Sequence, residues 1–400
     1  MERQCQVLIV GAGITGLTTA RELLKRGVDG LIIIEKERSL GAHASGRNSG
    51  VLHAGIYYSP GTNKAGFCVR GNTLMKEYCR ERGLSLKESG KVIVAGDEDK
   101  LKGLEELKRR ADSSGAVSRI IGDEELSEIE PYAARNGKAL YSPNTAVISP
   151  LEILQSLKEE LLESGKADII FGASFTGLNG NHTAVTSAGK INFEIFINAA
   201  GTFADKVAGH FGVGERYKVL PFKGTYKKLS PGASHLVRSN IYPVPDLRNP
   251  FLGIHFTRGA DGNVYLGPTA IPALGREEYG FLDDLSKETL SILLRDSLLF
   301  VINESFRAAV VDEIRKYSSG YLYKEARQLV PELKSNDLVD SSKMGIRPQL
   351  VDWTSKELVM DFLVLREADS VHILNAISPA FTCSMAFAEY TVDKLISSSQ

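Results

Sequence analysis

The feature that most constrains the fold is a glycine pattern near the N-terminus, flanked by two apolar runs. Residues 5–10 (CQVLIV) are apolar enough to form a buried strand, and residues 11–16 read G-x-G-x-x-G. Apolar residues then recur at helical spacing, and a second apolar run at residues 31–34 ends at Glu35. Strand, glycine turn, helix and strand in this order predict a βαβ unit of the dinucleotide-binding type.

The three glycines and the acid each have a physical role in holding a dinucleotide. Gly11 permits a tight turn, Gly13 lets the backbone approach a pyrophosphate, and Gly16 lets the helix pack closely on the sheet. The helix N-terminus presents partial positive charge to the phosphates. Glu35 is placed to accept hydrogen bonds from ribose hydroxyls and disfavours a 2′-phosphate. A glycine turn without a ligand would leave Glu35 unexplained, so we predict dinucleotide binding.

The segment at residues 41–58 (GAHASGRNSGVLHAGIYY) bears on which dinucleotide is bound, because the βαβ pattern suits both FAD and NAD. It is rich in glycine and hydroxyl side chains, as expected for a chain that passes close to a flat ring system. A flexible surface loop is the alternative. The apolar Val51 and Ile56 and the aromatic pair Tyr57 and Tyr58 favour a packed segment, and therefore a flavin.

Composition excludes several classes of protein. The 400 residues include 48 Lys and Arg against 49 Asp and Glu, so no basic excess exists to neutralise nucleic-acid phosphates. The four cysteines form no C-x-x-C pair and suit a reducing compartment, so we expect a cytoplasmic protein without a metal site. We expect no signal peptide, and the apolar window at residues 290–302 is too short to span a membrane.

The remaining pattern predicts an α/β protein whose middle region is an antiparallel sheet with proline-rich turns. A strand that ends in Asn198, Ala199, Ala200 and Gly201 is a second point where small residues permit close approach. The predicted strands are residues 86–95, 168–178, 193–198, 218–230, 263–267 and 371–375, and the predicted helices are residues 97–110, 151–163, 281–317 and 378–396.

Five stretches that together span most of the chain carry a resemblance to a known family. They are SGRNSGVLHAGIYYSPGTNKAGFCVRG (residues 45–71), IYPVPDLRNPFLGIHFTR (241–258), VYLGPTAI (264–271), MGIRPQLVD (344–352) and HILNAISPAFTCSMAFAEY (372–390). The chain resembles FAD-dependent oxidoreductases of the D-amino-acid oxidase, glycine oxidase and glycerol-3-phosphate dehydrogenase type. Within that group it is most similar to the L-2-hydroxyglutarate dehydrogenase/oxidase family.

The resemblance implies a Rossmann-type FAD-binding domain with an inserted substrate domain built on a mostly antiparallel sheet. The FAD-binding domain would comprise residues 1–85, 146–215 and 341–400, and the substrate-binding domain residues 86–145 and 216–340. The expected fold class is therefore α/β, with an α+β substrate part.

The resemblance also implies that FAD oxidises a 2-hydroxy acid, with L-2-hydroxyglutarate as the expected substrate and 2-oxoglutarate as the product. Arg347, in the G-I-R-P motif, is expected to bind the substrate carboxylate, because a guanidinium binds carboxylates in a bidentate manner. His53 and His255 are the candidates for the base that removes the hydroxyl proton. Which of them serves stays open, since His255 on its apolar strand would equally suit a core histidine.

A second substrate carboxylate needs a second anchor, and Tyr57, Tyr58, Lys223 and Arg258 are the candidates. Lys223 stands where we expect arginine in this family, so it keeps the charge but lacks the bidentate fork.

Backbone N–H groups at the start of the last helix are expected to stabilise the anionic reduced flavin, and Cys383 there is interpreted as a small packing residue. The expected cofactor-binding residues are Gly11, Gly13, Ile14, Thr15, Gly16, Glu35, Lys36, Ser45, Gly46, Asn48, Ser49, Gly50, Phe175, Ala199, Ala200, Gly201, Pro379, Ala380, Phe381, Thr382 and Cys383.

Two other functions are compatible with the same fold. One is an amine or amino-acid oxidase that acts on a glycine- or sarcosine-like substrate, and the other is a non-enzymatic flavin redox sensor. The electron acceptor is left open between oxygen, a quinone and an electron-transfer protein. The apolar residues 290–302 suggest peripheral contact with the inner membrane, with a buried helix as the alternative.

Overall fold

The computed structural model describes residues 2–96, 100–246, 252–280 and 287–396. Helices and strands alternate along the chain, as the sequence predicts for an α/β protein. The elements of the first half are β1 Glu2–Val10, α1 Ile14–Lys25, β2 Leu31–Glu35, β3 Val51–Leu52, α2 Asn63–Glu81, β4 Leu86–Lys87, β5 Lys91–Val94, α3 Leu101–Ser114, β6 Arg119–Gly122, α4 Asp123–Ile129, β7 Lys138–Ser142, β8 Ala146–Ile148, α5 Pro150–Glu163, β9 Ala167–Phe171, β10 Phe175–Leu178, β11 Thr183–Thr186 and β12 Gly189–Asn198.

The second half contains a group of strands, three helices, more strands and the C-terminal helix. Its elements are α6 Ala204–Gly209, β13 Tyr217–Leu229, β14 Asn240–Pro243, β15 His255–Arg258, β16 Val264–Gly267, β17 Ile271–Pro272, α7 Lys287–Ile302, α8 Glu304–Arg315, α9 Ser319–Leu329, β18 Leu338–Asp352, β19 Glu357–Leu358, β20 Leu363–Glu367, β21 Ser370–Asn375 and α10 Ala380–Ile396.

The chain divides into two compact units. Unit 1 consists of residues 1–47, 150–221 and 347–400, and unit 2 of residues 48–149 and 222–346. This division resembles the predicted one, but residues 48–85 cluster with unit 2 rather than with the predicted FAD-binding domain.

Unit 1 is built on a mixed sheet in whose parallel part β1 lies between β2 and β12. Both neighbours run parallel to β1, with Val10 opposite Ile34 on one side and Asn198 on the other, whereas β10–β11, β11–β12 and β20–β21 are antiparallel pairs. Parallel strands are covered on both faces, and this explains the continuous apolar runs at the end of β1 and in β2. Helix α1 packs against α5 and α10 through its buried apolar side chains.

Unit 2 contains a mostly antiparallel sheet. Its strands follow the order β13-β16-β15-β14-β5-β7-β6, and β17 also pairs with β13. The pair β14–β5 is parallel, and the other pairs along this order are antiparallel where their register is described. A buried apolar cluster that includes Val92, Ile241, Phe256 and Leu266 covers one face of the sheet.

Two predicted strands are each divided by a glycine. Predicted strand 86–95 is divided at Gly90 (φ +68°), so β4 and β5 belong to different sheets, and predicted strand 168–178 is divided at Gly172 (φ +71°) into β9 and β10. A positive φ places the chain outside the extended region, which a strand cannot accommodate. The predicted helical region 281–317 forms α7 and α8, while residues 281–286 lie outside the described part.

Among the described helices, none combines the length and the apolar character needed to cross a bilayer. Helix α7, which contains the apolar window, also carries the charged residues Arg295 and Asp296.

Candidate active site

The turn between β1 and α1 is shaped so that two of its positions accept only glycine. Gly11 has φ +107°, and a Cβ atom there would lie 2.5 Å from the Ala199 carbonyl oxygen. A Cβ atom on Gly16 would lie 2.0 Å from the Gly11 carbonyl oxygen. The backbone of the turn is therefore in direct contact with both the strand end and the helix, as a pyrophosphate-binding turn requires.

Glu35 closes this turn from the end of β2. The Ala12 N–H donates to its Oε2 at 2.9 Å and the Glu37 N–H donates to its Oε1 at 3.0 Å, so both carboxylate oxygens are held in place. A carboxylate oxygen has a second lone pair, which remains suited to a ribose hydroxyl. Ser45 contributes from the following loop, since the Ile14 N–H donates to its Oγ at 2.9 Å.

The parallel register brings the predicted dinucleotide-binding residues of unit 1 to one edge of the sheet. The Gly11 N–H donates to the Ile34 carbonyl at 2.8 Å and the Ala199 N–H donates to the Val10 carbonyl at 2.9 Å. The carboxyl ends of β1, β2 and β12 therefore meet where ligands bind in open α/β sheets. The small residues after β12, Ala200 and Gly201, lead away from the same edge.

Three predicted cofactor residues of unit 1 have other partners in the structure. Lys36 forms an ion pair with Glu37, and its Nζ lies 2.8 Å from His43 Nε2. Phe175 packs in the core with its ring centroid 5.4 Å from that of Phe196. Gly46 serves the loop itself, since a Cβ atom there would lie 2.1 Å from the Gly41 carbonyl oxygen. Cofactor contact by these three residues stays a prediction.

The last helix begins with small, buried side chains. Thr382, Cys383 and Ser384 are buried, and the Cys383 N–H donates to the Pro379 carbonyl at 3.0 Å. The Ser384 carbonyl accepts a hydrogen bond from Thr18 Oγ1 of α1 at 3.2 Å, so α10 is fastened to the helix of the βαβ unit. A role for Pro379, Ala380 and Phe381 at the flavin stays a prediction.

Asn48, Ser49 and Gly50 lie in unit 2 rather than with the glycine turn. The Gly50 N–H donates to Asn48 Oδ1 at 2.9 Å, and the Val51 N–H donates to Ser49 Oγ at 3.4 Å. The segment is packed rather than a flexible loop, because the Ile148 N–H also donates to the Gly50 carbonyl.

The two predicted base candidates lie in one aromatic cluster of unit 2. The His255 ring stacks on the Tyr242 ring with centroids 3.7 Å apart, and the His53 ring meets the same tyrosine edge-on at 6.5 Å. Tyr57 stacks with Tyr242 at 6.4 Å. All four side chains are buried. The sequence predicts the importance of both histidines, but not that a single tyrosine joins them.

Both imidazoles are poorly basic in this environment. Burial lowers the pKa of His53 well below its ordinary value, and the positive charge of Lys91 and the neighbouring His255 lower it further. Burial lowers the pKa of His255 to about 3, against an opposing contribution from its bond to Gly253. The two rings are therefore neutral at pH 7, which is the form that accepts a proton.

A hydrogen bond determines which nitrogen of His255 is available. Its Nδ1 lies 3.0 Å from the Gly253 carbonyl oxygen, and because a carbonyl only accepts, Nδ1 must carry the hydrogen. Nε2 therefore holds the lone pair. His53 is positioned through its backbone, since its carbonyl accepts from Asn72 Nδ2 at 3.0 Å and from Cys68 Sγ at 3.4 Å.

Two predicted carboxylate anchors are already bound within unit 2. Lys223 Nζ lies 3.3 Å from Glu278 Oε1 and donates to the Gly280 carbonyl at 2.5 Å. Arg258 donates through Nε, Nη1 and Nη2 to backbone carbonyls of Ser234, Val237 and Gly262. These bonds hold both cations within unit 2, and substrate contact by either residue stays a prediction.

The other predicted substrate contacts occupy different places. Arg347 is half-buried on β18 and belongs to unit 1, next to the buried Ile346. Tyr58 is half-buried in unit 2, with Lys64 Nζ 5.9 Å from its ring centroid. Substrate contact by either residue stays a prediction.

Lys91 is the residue that the sequence analysis missed. It is 0% exposed, and its Nζ lies 4.4 Å and 4.6 Å from the ring centroids of Tyr57 and Tyr242. The only signal in the sequence is a lysine at the head of the apolar run KVIVA, directly after Gly90.

The glycine turn and its acid are those of a dinucleotide-binding protein. The chain belongs to the FAD dependent oxidoreductase family, whose model matches residues 6–394. The residues of the turn fit this cofactor, since two positions exclude any side chain and Glu35 is fixed for a ribose. The predicted enzyme class and FAD cofactor are confirmed.

Curated relatives include L-2-hydroxyglutarate dehydrogenases over nearly the full length. The human mitochondrial protein is 32% identical over 97% of this chain and 88% of its own length. The Nematostella vectensis protein is 35% identical over 97% and 90%. The Escherichia coli O17:K52:H18 protein is 32% identical over 97% and 92%. The predicted resemblance to this group is confirmed.

Solved structures show the same fold at lower identity. An FAD-bound L-alpha-glycerophosphate oxidase from Mycoplasma pneumoniae matches with a TM-score of 0.78 and 23% identity, over 98% of this chain and 95% of that one. A glycine oxidase from Bacillus cereus matches with a TM-score of 0.66 and 18% identity, over 99% and 96%. The predicted fold class is confirmed.

Proposed function

We propose that the protein oxidises L-2-hydroxyglutarate to 2-oxoglutarate with FAD. The observation that carries the proposal is the pair of buried, neutral imidazoles of His53 and His255 in unit 2. Oxidation of an alcohol to a ketone releases the hydroxyl proton, and a neutral imidazole is suited to accept it. The names of the curated relatives favour this substrate over a glycine- or sarcosine-like amine.

The proposed residue roles are as follows for each unit taken by itself. FAD, when bound, supplies the two-electron acceptance that no side chain provides. Gly11, Gly16 and Glu35 of unit 1 bind and orient the dinucleotide. One of the two imidazoles holds the hydroxyl proton, with Nε2 of His255 as the lone-pair nitrogen defined by its tautomer.

Arg347 is the proposed anchor of the substrate carboxylate. Its guanidinium has five N–H donors in a fixed fork and stays charged at every pH of interest, so it binds a carboxylate through two parallel hydrogen bonds. Lysine at the same position would keep the charge and lose the fork. The pair of variants Arg347→Lys and Arg347→Ala therefore separates geometry from charge.

Anaerobic titration of the flavin absorbance tests the proposal directly. L-2-Hydroxyglutarate should bleach the absorption band of the oxidised flavin, and D-2-hydroxyglutarate and L-lactate should bleach it far more slowly. Bleaching by sarcosine or glycine alone would replace the proposal with an amine oxidase. If none of these compounds reduces the flavin, the result would favour the alternative of a non-enzymatic redox sensor.

We propose further that the enzyme contacts a membrane surface through α7 and delivers its electrons to a quinone there. This helix exposes Leu290, Leu294 and Val301 by 64%, 63% and 71%, which is unusual for large apolar side chains on consecutive turns. Arg295 on the same helix and Arg315 on the neighbouring α8 add cations suited to anionic headgroups.

Flotation with liposomes tests the membrane proposal. The double variant Leu294→Glu and Val301→Glu should abolish binding to vesicles that contain phosphatidylglycerol and leave flavin reduction unchanged. Leu162→Glu is the matched control, since Leu162 is also an exposed leucine on a helix but belongs to unit 1. Equal flotation of all three proteins would remove α7 from any membrane contact.

A further inference from the structure

Lys91 occupies a position where a lysine is energetically unfavourable. It begins β5 immediately after Gly90, whose N–H donates to the Thr145 carbonyl at 3.0 Å and whose carbonyl accepts from Asn240 Nδ2 at 2.8 Å. These bonds fix the turn that directs Lys91 into the interior, opposite the buried Ser142 of β7. An ammonium removed from water in this way needs a compensating interaction.

The compensation comes from aromatic rings rather than from an acid. Lys91 Nζ contacts the rings of Tyr57 and Tyr242, and it has no hydrogen-bond partner in the part of the chain that the structure describes. Among the described residues, Cys68 is the group whose charge acts on the Lys91 ammonium, and no carboxylate acts on it. A lysine that is fully buried for structural reasons is normally paired with an acid. The unpaired charge of Lys91 therefore suggests a functional role.

The titratable groups that face Lys91 come from several elements of unit 2. Tyr57 follows β3 and Tyr242 lies on β14, and both supply rings. Cys68 of α2 faces it as well. Tyr242, whose ring centroid lies 4.6 Å from Lys91 Nζ, stacks on His255 at 3.7 Å and meets His53 edge-on at 6.5 Å, so the lysine and both imidazoles belong to one cluster in which its charge acts on them.

We propose that Lys91 is a positioning residue for the proton chemistry of His53 and His255: its buried charge, in contact with the tyrosine that both imidazoles pack against, adds to burial in keeping them in the neutral form that accepts the substrate hydroxyl proton. The inference rests on the proposed function for its use in catalysis. The coupling of the three residues, by contrast, is a property of unit 2 with or without a substrate.

The order of protonation explains how the charge acts. Burial lowers the pKa of Lys91 to about 7, whereas the pKa of His255 is about 3. As the pH falls, Lys91 therefore takes up the first proton of the cluster. Its charge then opposes the protonation of the imidazoles, because a like charge close by in a poorly solvated site disfavours the charged form. Burial is the larger cause of the low pKa of each imidazole, and the charge of Lys91 lowers both pKa values further.

Nuclear magnetic resonance of the FAD-loaded enzyme with ¹³C-labelled histidine side chains tests the coupling. In the parent protein, the resonances of His53 and His255 should stay in the neutral form well below pH 6.5. In Lys91→Met both midpoints should rise by about one pH unit or more, and in Lys91→Arg they should stay at the parental values. If the two imidazoles of the parent protein titrate near pH 6.5, the proposal is overturned before any variant is measured.

Lys343 offers a matched control. Its Nζ also lies over two tyrosine rings of unit 2, at 4.3 Å from the Tyr265 centroid and 5.5 Å from the Tyr226 centroid. Its electrostatic partner is Asp261 rather than a histidine. Lys343→Met should therefore leave both imidazole midpoints in place. An equal rise in both lysine variants would show a nonspecific change and overturn the specific role of Lys91.

The rate of flavin reduction adds a functional readout. The acidic limb of the rate of reduction by L-2-hydroxyglutarate should move to higher pH in Lys91→Met and return in Lys91→Arg. If the acidic limb of the reduction rate stays in place although the imidazole midpoints move, the coupling has no effect on catalysis and that part of the proposal is overturned. If L-2-hydroxyglutarate does not reduce the flavin of the parent enzyme, the proposed function is wrong. The imidazole midpoints would still test the effect of Lys91 on the two histidines.

Discussion

Replacing Lys91 by methionine should make the protein more stable at neutral pH. Burial lowers the pKa of the lysine from 10.5 to about 7. That difference corresponds to about 5 kcal/mol of unfavourable free energy when the buried amine is charged. Methionine has a similar volume and carries no charge, so we expect the free energy of unfolding to rise by about 4–5 kcal/mol at pH 6–7.

The sign of the effect depends on pH in a defined way. Between pH 7 and 10.5 the unfolded chain binds a proton at this lysine that the folded chain does not, so the parent protein gains stability as the pH rises through this window. Above pH 10.5 the lysine is neutral in both states. The advantage of Lys91→Met should therefore be largest below pH 7 and should disappear near pH 10.5.

Urea unfolding followed by circular dichroism measures both quantities. The FAD concentration must be the same in every sample, because bound FAD stabilises the folded state by mass action. A Lys91→Met protein that is less stable than its parent at pH 7, or an advantage that does not change with pH, would refute the reasoning. Either result would mean that the ammonium has a compensating partner.

Three further predictions concern the cofactor turn and the chemistry. Gly16→Ala should yield protein without bound flavin, measured as the ratio of flavin to protein absorbance, because its Cβ atom would lie 2.0 Å from the Gly11 carbonyl oxygen. Arg347→Ala should raise the apparent substrate constant by about 30- to 150-fold, equivalent to about 2–3 kcal/mol, with Arg347→Lys in between; equal constants would remove the residue from the site. His53→Asn or His255→Asn should slow anaerobic flavin reduction by about 10²–10⁴-fold, and parental rates in both would exclude the pair as base.

The βαβ unit was predictable from the sequence because its signals are local. The apolar run, the glycine spacing and the helical period all fall within residues 2–35, and the structure places β1, α1 and β2 there. Glu35 was predictable for the same reason, since its role follows from its position at the end of a strand. The two histidines could be named from the family-like stretches that contain them.

What the sequence could not show depends on packing between distant segments. Gly90 was read as part of a strand, because a glycine with positive φ looks the same in a sequence as an extended one. Lys91 and Tyr242 are 151 positions apart and become neighbours only when β5 pairs with β14. The internal partners of Lys223 and Arg258 were hidden for the same reason.

The order of segments in unit 1 has a consequence for how the enzyme is made. Strand β1 is synthesised long before its neighbour β12, which ends at Asn198, and α10, which packs on α1, is synthesised later still. Unit 2 has all of its residues once position 346 has emerged. Domains fold as they are synthesised, so the nascent chain has all the residues of unit 2 before it has those of unit 1, to which the glycine turn belongs. We therefore expect FAD to be loaded only after α10 has been made, and a chain released before α10 to bind no cofactor.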